Sequence, residues 1–346
     1  METATASAQP HAGSMPSPDL IMETLGGYLR SSCLKGAIEL DLFTAIDEGA
    51  KSVSAIAAHC RASERGVRIL SDCLAVMGFV VKSGEEYSLT PDSAAFLSRR
   101  SPMYIGSIAH FLNSDYVMDR FRDMAELVRQ GTALNHGEGL EPEHPMWVEF
   151  ARSMGPTMTL PAKLIAEIVL RADQSPMKIL DIAAGHGIYG ITFAARNPNV
   201  KITAVDWAIV LQVAKENAER LGVSDRYETI PGSAFDVDFG SGYDVVLIPN
   251  FLHHFEPGVN EQFLRKVKAA LAPDGRVAVV EFVPNPDRVS PPFPAMFSMM
   301  MLGSTPRGDA YTFAELESML TKAGFQPPTR YDLLPTASTL LVSGCA

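Results

Sequence analysis

Several features that mark particular protein classes are scarce in this sequence. Its four cysteines, Cys33, Cys60, Cys73 and Cys345, include no Cys-x-x-Cys pair. Scattered over 346 residues, they argue against a disulfide framework or a zinc cluster and suit reduced thiols in a cytoplasmic setting. Basic residues are in deficit, 29 Lys and Arg against 40 Asp and Glu, and the formal charge of -11 repels polyanions. Nucleic acid is therefore not the expected partner. No uninterrupted apolar run approaches the roughly 18 residues needed to span a bilayer, so no membrane insertion is expected. The opening residues lack the basic start and apolar stretch of a secretory signal, and residues 1–17, rich in Ala, Ser and Pro, are expected to be a disordered tail.

What is present is apolar material for more than one core. At 47% hydrophobic residues, the length favours two domains. Over residues 18–100 the pattern is helical, and Val67, Leu70, Leu74 and Met77 recur at three- and four-residue spacing on one helix face. Helices are predicted over 52–59 and 63–77, with Gly78 closing the second. The runs Phe79-Val80-Val81 and Tyr87-Ser88-Leu89, separated by a Ser83-Gly84 turn, complete a helix-turn-helix with a small wing. Such modules often bind DNA, but here the second helix offers only Arg65 and Arg68, beside Glu64 and Asp72. Nine basic and eleven acidic residues between Asp19 and Arg100 make a poor phosphate-binding footprint. Dimerisation or substrate covering is the expected role.

Residues 101–173 read as a helical connector contributing to a substrate pocket, with a loop from Gly131 to Pro145. From 174 to 346, short β-branched runs alternate with amphipathic helices, the pattern of a doubly wound, Rossmann-like α/β domain. The predicted strands are 177–182, 201–205, 226–231, 243–249 and 275–283. A helix near 312–324 and runs at 329–334 and 338–342 follow.

The strongest local signal is the segment from Lys178 to Gly190, in which the strand Lys178-Ile179-Leu180-Asp181-Ile182 enters the turn Gly185-His186-Gly187 and then a helix. Glycines let the backbone approach a ligand, and the helix beyond presents unpaired N–H groups. This fingerprint alone also fits a dinucleotide site. About 20 residues further on, the strand 201–205 ends at Asp206, where a carboxylate can accept both ribose hydroxyl protons. A plainer role for Asp206 is to cap the following helix.

Acidic Asp181 before the glycines, the late position of the sheet, and Leu271-Ala272-Pro273-Asp274-Gly275 leading into Arg276–Glu281 resemble class I S-adenosylmethionine-dependent methyltransferases. With the helical N-terminal module and the segment Asp244–Phe255, the resemblance narrows to the caffeate-type plant and bacterial small-molecule O-methyltransferases. It implies S-adenosylmethionine as cofactor, a homodimer and an acceptor that is a small, aromatic or polyketide-like molecule. By that resemblance Gly185 and Gly187 lie against the cofactor, Asp206 holds its ribose, Asn250 faces it, and Asp181 orders the glycine loop or reaches the amino group. Ser233 and Ala234 stand where the family has an acidic residue and a methionine on the adenine.

Methyl transfer is an in-line displacement, so the enzyme must align the acceptor and make it nucleophilic. A phenol of pKa near ~10 is protonated at neutral pH, whereas an imidazole near ~6.5 is free to take that proton. His253 matches the family's general base and Glu281 a carboxylate that orients it. The second family glutamate falls at Ala310; either Asp309 beside it substitutes or the second support is missing. Met154 and Met300 are the methionines expected to touch substrate, although methionine runs are more often core. An N- or C-methyltransferase on the same fold, a non-catalytic ligand-binding regulator and a nicotinamide oxidoreductase stay open at this point.

Overall fold

The computed structural model describes residues 15–134 and 143–346. Most of the expected tail 1–17, and the middle of the expected loop from Gly131 to Pro145, lie outside the described residues. The chain divides into two compact units, Met1–Pro102 and Met103–Ala346. Residues 103–173, read from sequence as a connector, are thus grouped with the sheet.

In the first unit, helices α1 (Gly27–Glu39), α2 (Val53–Cys60) and α3 (Glu64–Val76) precede a two-stranded wing. Ser52 and Ser63 start α2 and α3 by accepting the amides of Ala55 and Gly66, which satisfies donors that a helix start leaves unpaired. Val67 and Leu74 of the predicted stripe are fully buried. Strands β1 (Val80–Ser83) and β2 (Glu86–Leu89) pair antiparallel. Asp72 of α3 ties the wing down, accepting Lys82 Nζ and Tyr87 Oη at 2.6 Å each. It also pairs with Arg68 at 3.2 Å, so one of the two basic side chains on that helix is already engaged. Leu20, Ile21, Met22, Leu25, Tyr28 and Leu29 form an exposed apolar group.

The second unit is built on a seven-stranded sheet: β3 (Met177–Ile182), β4 (Val200–Asp206), β5 (Tyr227–Pro231), β6 (Tyr243–Pro249), β7 (Leu271–Glu281), β8 (Thr329–Asp332) and β9 (Thr339–Gly344). The spatial order is β5-β4-β3-β6-β7-β9-β8, with β3 to β7 parallel and β9 antiparallel to both of its neighbours. In β6, Val245 and Leu247 face one core cluster while Val246 and Ile248 face the other, and all four are buried. That is the reading expected of a central strand covered on both sides. Each such side chain contributes roughly 1.5–3 kcal/mol of burial.

The predicted β7 began at Gly275; the strand begins four residues earlier. Leu271 pairs with Tyr243 and Arg276 with Val245, so an irregular register accommodates Ala272-Pro273-Asp274-Gly275 within the sheet. Glu281 is its last residue. The helix predicted over 312–324 is Phe313–Lys322, opened by a capping box between Thr312 and Glu315. Among the described residues, no helix is long and apolar enough to cross a membrane, and no group of three or more His, Cys, Asp or Glu is placed to hold a metal ion.

Candidate active site

The order β4-β3-β6 places the reversal of strand order between β3 and β6, and open α/β sheets bind ligands at the carboxyl ends of such strands. Four of the residues singled out from sequence stand at carboxyl ends: Asp181 one residue before the end of β3, Asp206 at the end of β4, Asn250 just past β6 and Glu281 at the end of β7.

After β3 the backbone turns through positive φ at Ala183, Gly185 and Gly187 and enters helix α4 (Ile188–Arg196). A side chain at Gly187 would strike Tyr227 Oη at 2.7 Å and Ala214 Cβ at 2.9 Å, so this glycine is there for packing. At Gly185 an added Cβ would make only an ordinary contact, 3.8 Å to the Ala183 carbonyl, so the turn is not closed off by packing there. Asp181 accepts the Gly190 amide at 3.0 Å, which fixes the start of α4. Its second oxygen is buried without a partner, and burial lifts its carboxyl to about 7. Asp206 accepts the Gly185 amide and the Trp207 amide, each at 2.7 Å. Burial raises Asp206 to about 6. Its carboxylate does not cap the next helix, α5 (Ala208–Arg220), whose N-cap is Trp207 without a side-chain bond. Instead it braces the glycine turn.

Ser233 and Ala234 follow β5. Ser233 Oγ accepts the Phe235 amide at 3.2 Å, and Ala234 is buried. Lys266, on helix α6 (Pro257–Ala270), donates to the carbonyls of Ala234, Phe235 and Val237 at 2.9, 2.8 and 2.6 Å. A single ammonium therefore gathers three carbonyls of this loop. Nothing in the local sequence pointed to Lys266, because it comes from a helix about 30 residues downstream.

Beyond β6 the chain passes Asn250, which adopts φ 53, and forms a single 3-10 turn over Leu252–His254. Asn250 Nδ2 donates to Tyr189 Oη at 3.3 Å, Tyr189 in turn lies 3.2 Å from Met158 Sδ, and Asn250 Oδ1 is buried without a partner. His253 is 4% exposed. Its Nδ1 lies 2.6 Å from Glu281 Oε2, and its amide donates to Glu281 Oε1 at 3.3 Å. With a carboxylate as acceptor, Nδ1 carries the hydrogen, and Nε2 keeps its lone pair. Phe297, on helix α7 (Pro292–Ser304), meets the imidazole edge-on at 4.9 Å and continues to Phe282 and Phe293.

Asp309, Met154 and Met300, also singled out from sequence, have the following surroundings. Asp309 reaches His253 only through its main chain, its amide donating to the His253 carbonyl at 3.0 Å. Its carboxylate is drawn off by Arg288 at 3.3 Å, which also grips Glu315, so no carboxylate of Asp309 supports the ring. Met154 packs against the core cluster on the α4 face of the sheet. Met300 is part-buried on α7, where its sulfur accepts Ser304 Oγ at 3.9 Å. The neighbour His254 is held neutral, its imidazole pushed well below the ordinary range by burial and then by His253.

The geometry can be set beside known proteins. Residues 123–326, more than half of the chain, match the model of the O-methyltransferase domain, and residues 22–99 match that of the O-methyltransferase dimerisation domain. The chain belongs to the O-methyltransferase family. A Streptomyces sahachiroi 3-hydroxy-5-methyl-1-naphthoate 3-O-methyltransferase is 27% identical over 314 residues, 89% of each chain. A crystal structure of a putative O-methyltransferase from Nostoc punctiforme shares 50% identity at a TM-score of 0.91, covering 96% of this chain and 100% of that one. Human N-acetylserotonin methyltransferase in complex with S-adenosylmethionine has the same fold at 20% identity and a TM-score of 0.82, covering 97% and 99%. The nicotinamide reading of the glycine fingerprint is thereby set aside. This O-methyltransferase uses S-adenosylmethionine, and its residues fit that cofactor: a glycine turn at Gly185 where nothing crowds the Cα, a fixed carboxylate at Asp206 with lone pairs left over, and a buried Asn250 Oδ1 without a partner among the described residues.

Proposed function

We propose that this O-methyltransferase methylates a hydroxyl of a small aromatic or polyketide-like molecule, with His253 as general base. The observation that carries the reading is the buried pair of His253 Nδ1 and Glu281 Oε2 at 2.6 Å, at the carboxyl end of the sheet. Glu281 keeps the Nδ1 tautomer, so Nε2 is the basic atom. Nε2 takes the acceptor's hydroxyl proton, and the imidazolium so formed sits against the Glu281 carboxylate, both side chains being buried. The methyl donor supplies an electrophilic carbon on a sulfonium. Asp206 and the Gly185 backbone would hold its ribose and methionine parts, with Asn250 on the facing side and the Ser233–Ala234 loop beside adenine.

Residues 18–100 would dimerise, residues 101–173 help enclose the acceptor and 174–346 carry catalysis. Homodimer formation is supported by the dimerisation-domain match and by the exposed Leu25, Tyr28 and Leu29, which a second copy can cover. The function is tested with labelled methyl donor and 3-hydroxy-5-methyl-1-naphthoate alongside simpler naphthols. In a pH-rate series on any accepted phenol, His253→Ala should lose roughly two to four orders of magnitude in turnover with cofactor affinity intact. Identical wild-type and mutant profiles would remove His253 from the chemistry.

A further inference from the structure

Away from the sheet, two thiols lie side by side. Cys33 on α1 and Cys73 on α3 have sulfur atoms 3.6 Å apart although 40 residues separate them in the chain. Both are free and part-exposed, and both belong to the first unit. A third sulfur, that of Met77 one turn along α3, lies 3.8 Å from Cys73 and flanks it with soft, polarizable surface. A disulfide needs the sulfurs at about 2.05 Å, and the remaining gap of about 1.5 Å is within reach of a χ1 adjustment on either cysteine.

We propose that Cys33 and Cys73 form a dithiol site that a low-molecular-weight disulfide, such as oxidised glutathione, converts to an intrachain disulfide. The exchange balances in two displacements. One cysteine thiolate attacks a glutathione sulfur, breaks the glutathione S–S bond and expels one glutathione thiolate. The other cysteine thiolate then attacks the protein sulfur of that mixed disulfide and expels the second glutathione. Two protein S–H groups lose two protons and two electrons, and these appear in two reduced glutathione molecules. The product staples α1 to α3. Burial, and then the neighbouring Cys73, push the Cys33 thiol above its ordinary range, so the dithiol resists oxidation at neutral pH and reacts faster as the solution becomes alkaline.

Cys60 on α2 and Cys345 in the other unit serve as internal controls. Full-length protein at pH 8 is treated with oxidised glutathione, its free thiols are titrated, and it is digested with trypsin without reductant. The titre should fall from four thiols to two, and the peptide covering residues 31–35 should be joined to the one covering 69–82. Dithiothreitol should restore all four. Cys33→Ser should trap glutathione on Cys73 instead of forming the link, and Cys73→Ser should trap it on Cys33. Persistence of four thiols in the wild type, glutathione retained on the wild type, or a link that involves Cys60 or joins two chains would each overturn the assignment.

Discussion

Asp309 meets His253 through its backbone, with its amide 3.0 Å from the His253 carbonyl, while its carboxylate is paired with Arg288. Among the described residues His253 therefore meets one carboxylate, Glu281, and of the two alternatives the sequence left open for a second support the absent one fits the geometry. Asp309→Ala should consequently leave turnover within about threefold of wild type, the range of a part-exposed substitution. Glu281→Gln should cost at least about tenfold in kcat, because an amide neither enforces the tautomer nor neutralises imidazolium. Parallel kcat measurements on one acceptor decide the matter, and a larger loss at Asp309 would restore it as a support.

Asp206 predicts a pH dependence for cofactor binding. Its carboxyl is raised to about 6 by burial, and a ribose requires the ionised, accepting form. Affinity for S-adenosylhomocysteine should fall as pH drops through about 6, and Asp206→Asn should show weak binding with that slope removed. Calorimetric titrations at pH 5 and pH 8 give the comparison; a wild-type affinity flat across this interval would contradict it.

Asp181 carries the corresponding statement about stability. Its folded pKa of about 7 exceeds the ordinary value of 3.8, so the folded state holds a proton that the unfolded chain has released. This contribution is complete below 3.8 and is lost as pH rises toward about 7. Asp181→Asn, which can still accept the Gly190 amide, should raise Tm at pH 8 and change it little at pH 4. Equal effects at both values would show that the carboxyl does not titrate in this interval.

The two glycines of the turn should fail in different ways. Gly187→Ala places a methyl 2.7 Å from Tyr227 Oη at a left-handed φ and should cost about 1–3 kcal/mol of stability. Gly185→Ala makes only an ordinary contact at 3.8 Å, so beyond the strain of its positive φ it should chiefly weaken cofactor binding. Thermal melts alongside titrations separate the two, and a larger loss of binding at Gly187 than at Gly185 would reverse the assignment.

Lys266 is expected to act on the cofactor at a distance, through the loop it holds. Lys266→Met leaves three carbonyls without their ammonium and should weaken S-adenosylhomocysteine by about tenfold, one charged hydrogen bond's worth. Lys266→Arg should recover part of it. An unchanged dissociation constant for Lys266→Met would confine Lys266 to packing.

Much of this architecture was legible because period and composition agree. Largely apolar runs gave β3 and β6 at their observed bounds, and Ser52, Ser63 and Thr312 marked helix starts that the structure uses as caps. The glycine turn was readable because its backbone is set locally, and Asp206 because it closes the strand that follows, although its partner Gly185 is 21 residues away. Lys266, Arg288 and Phe297 were not, because each acquires its partners only when distant segments fold together. Arg288 alone explains why Asp309 does not reach the ring: the contact depends on a competing cation 21 residues away. The early start of β7 was hidden by Pro273 and Gly275, which read as a turn until an irregular register absorbs them.

The placement of β9 has a consequence for synthesis of the protein. Glu281 pairs across the sheet with Thr339, and among the described residues β8 has no sheet neighbour other than β9. A chain emerging from the ribosome can lay down β3 to β7 in order, but the strand beside Glu281 arrives only after residue 344 has cleared the exit tunnel. Until then β7 is an open edge, exposed to pairing with other chains, and the carboxylate that steadies His253 stands on it. The His253–Glu281 pair thus gains its covering strand only when β9, far downstream of Glu281 in the chain, has folded against β7.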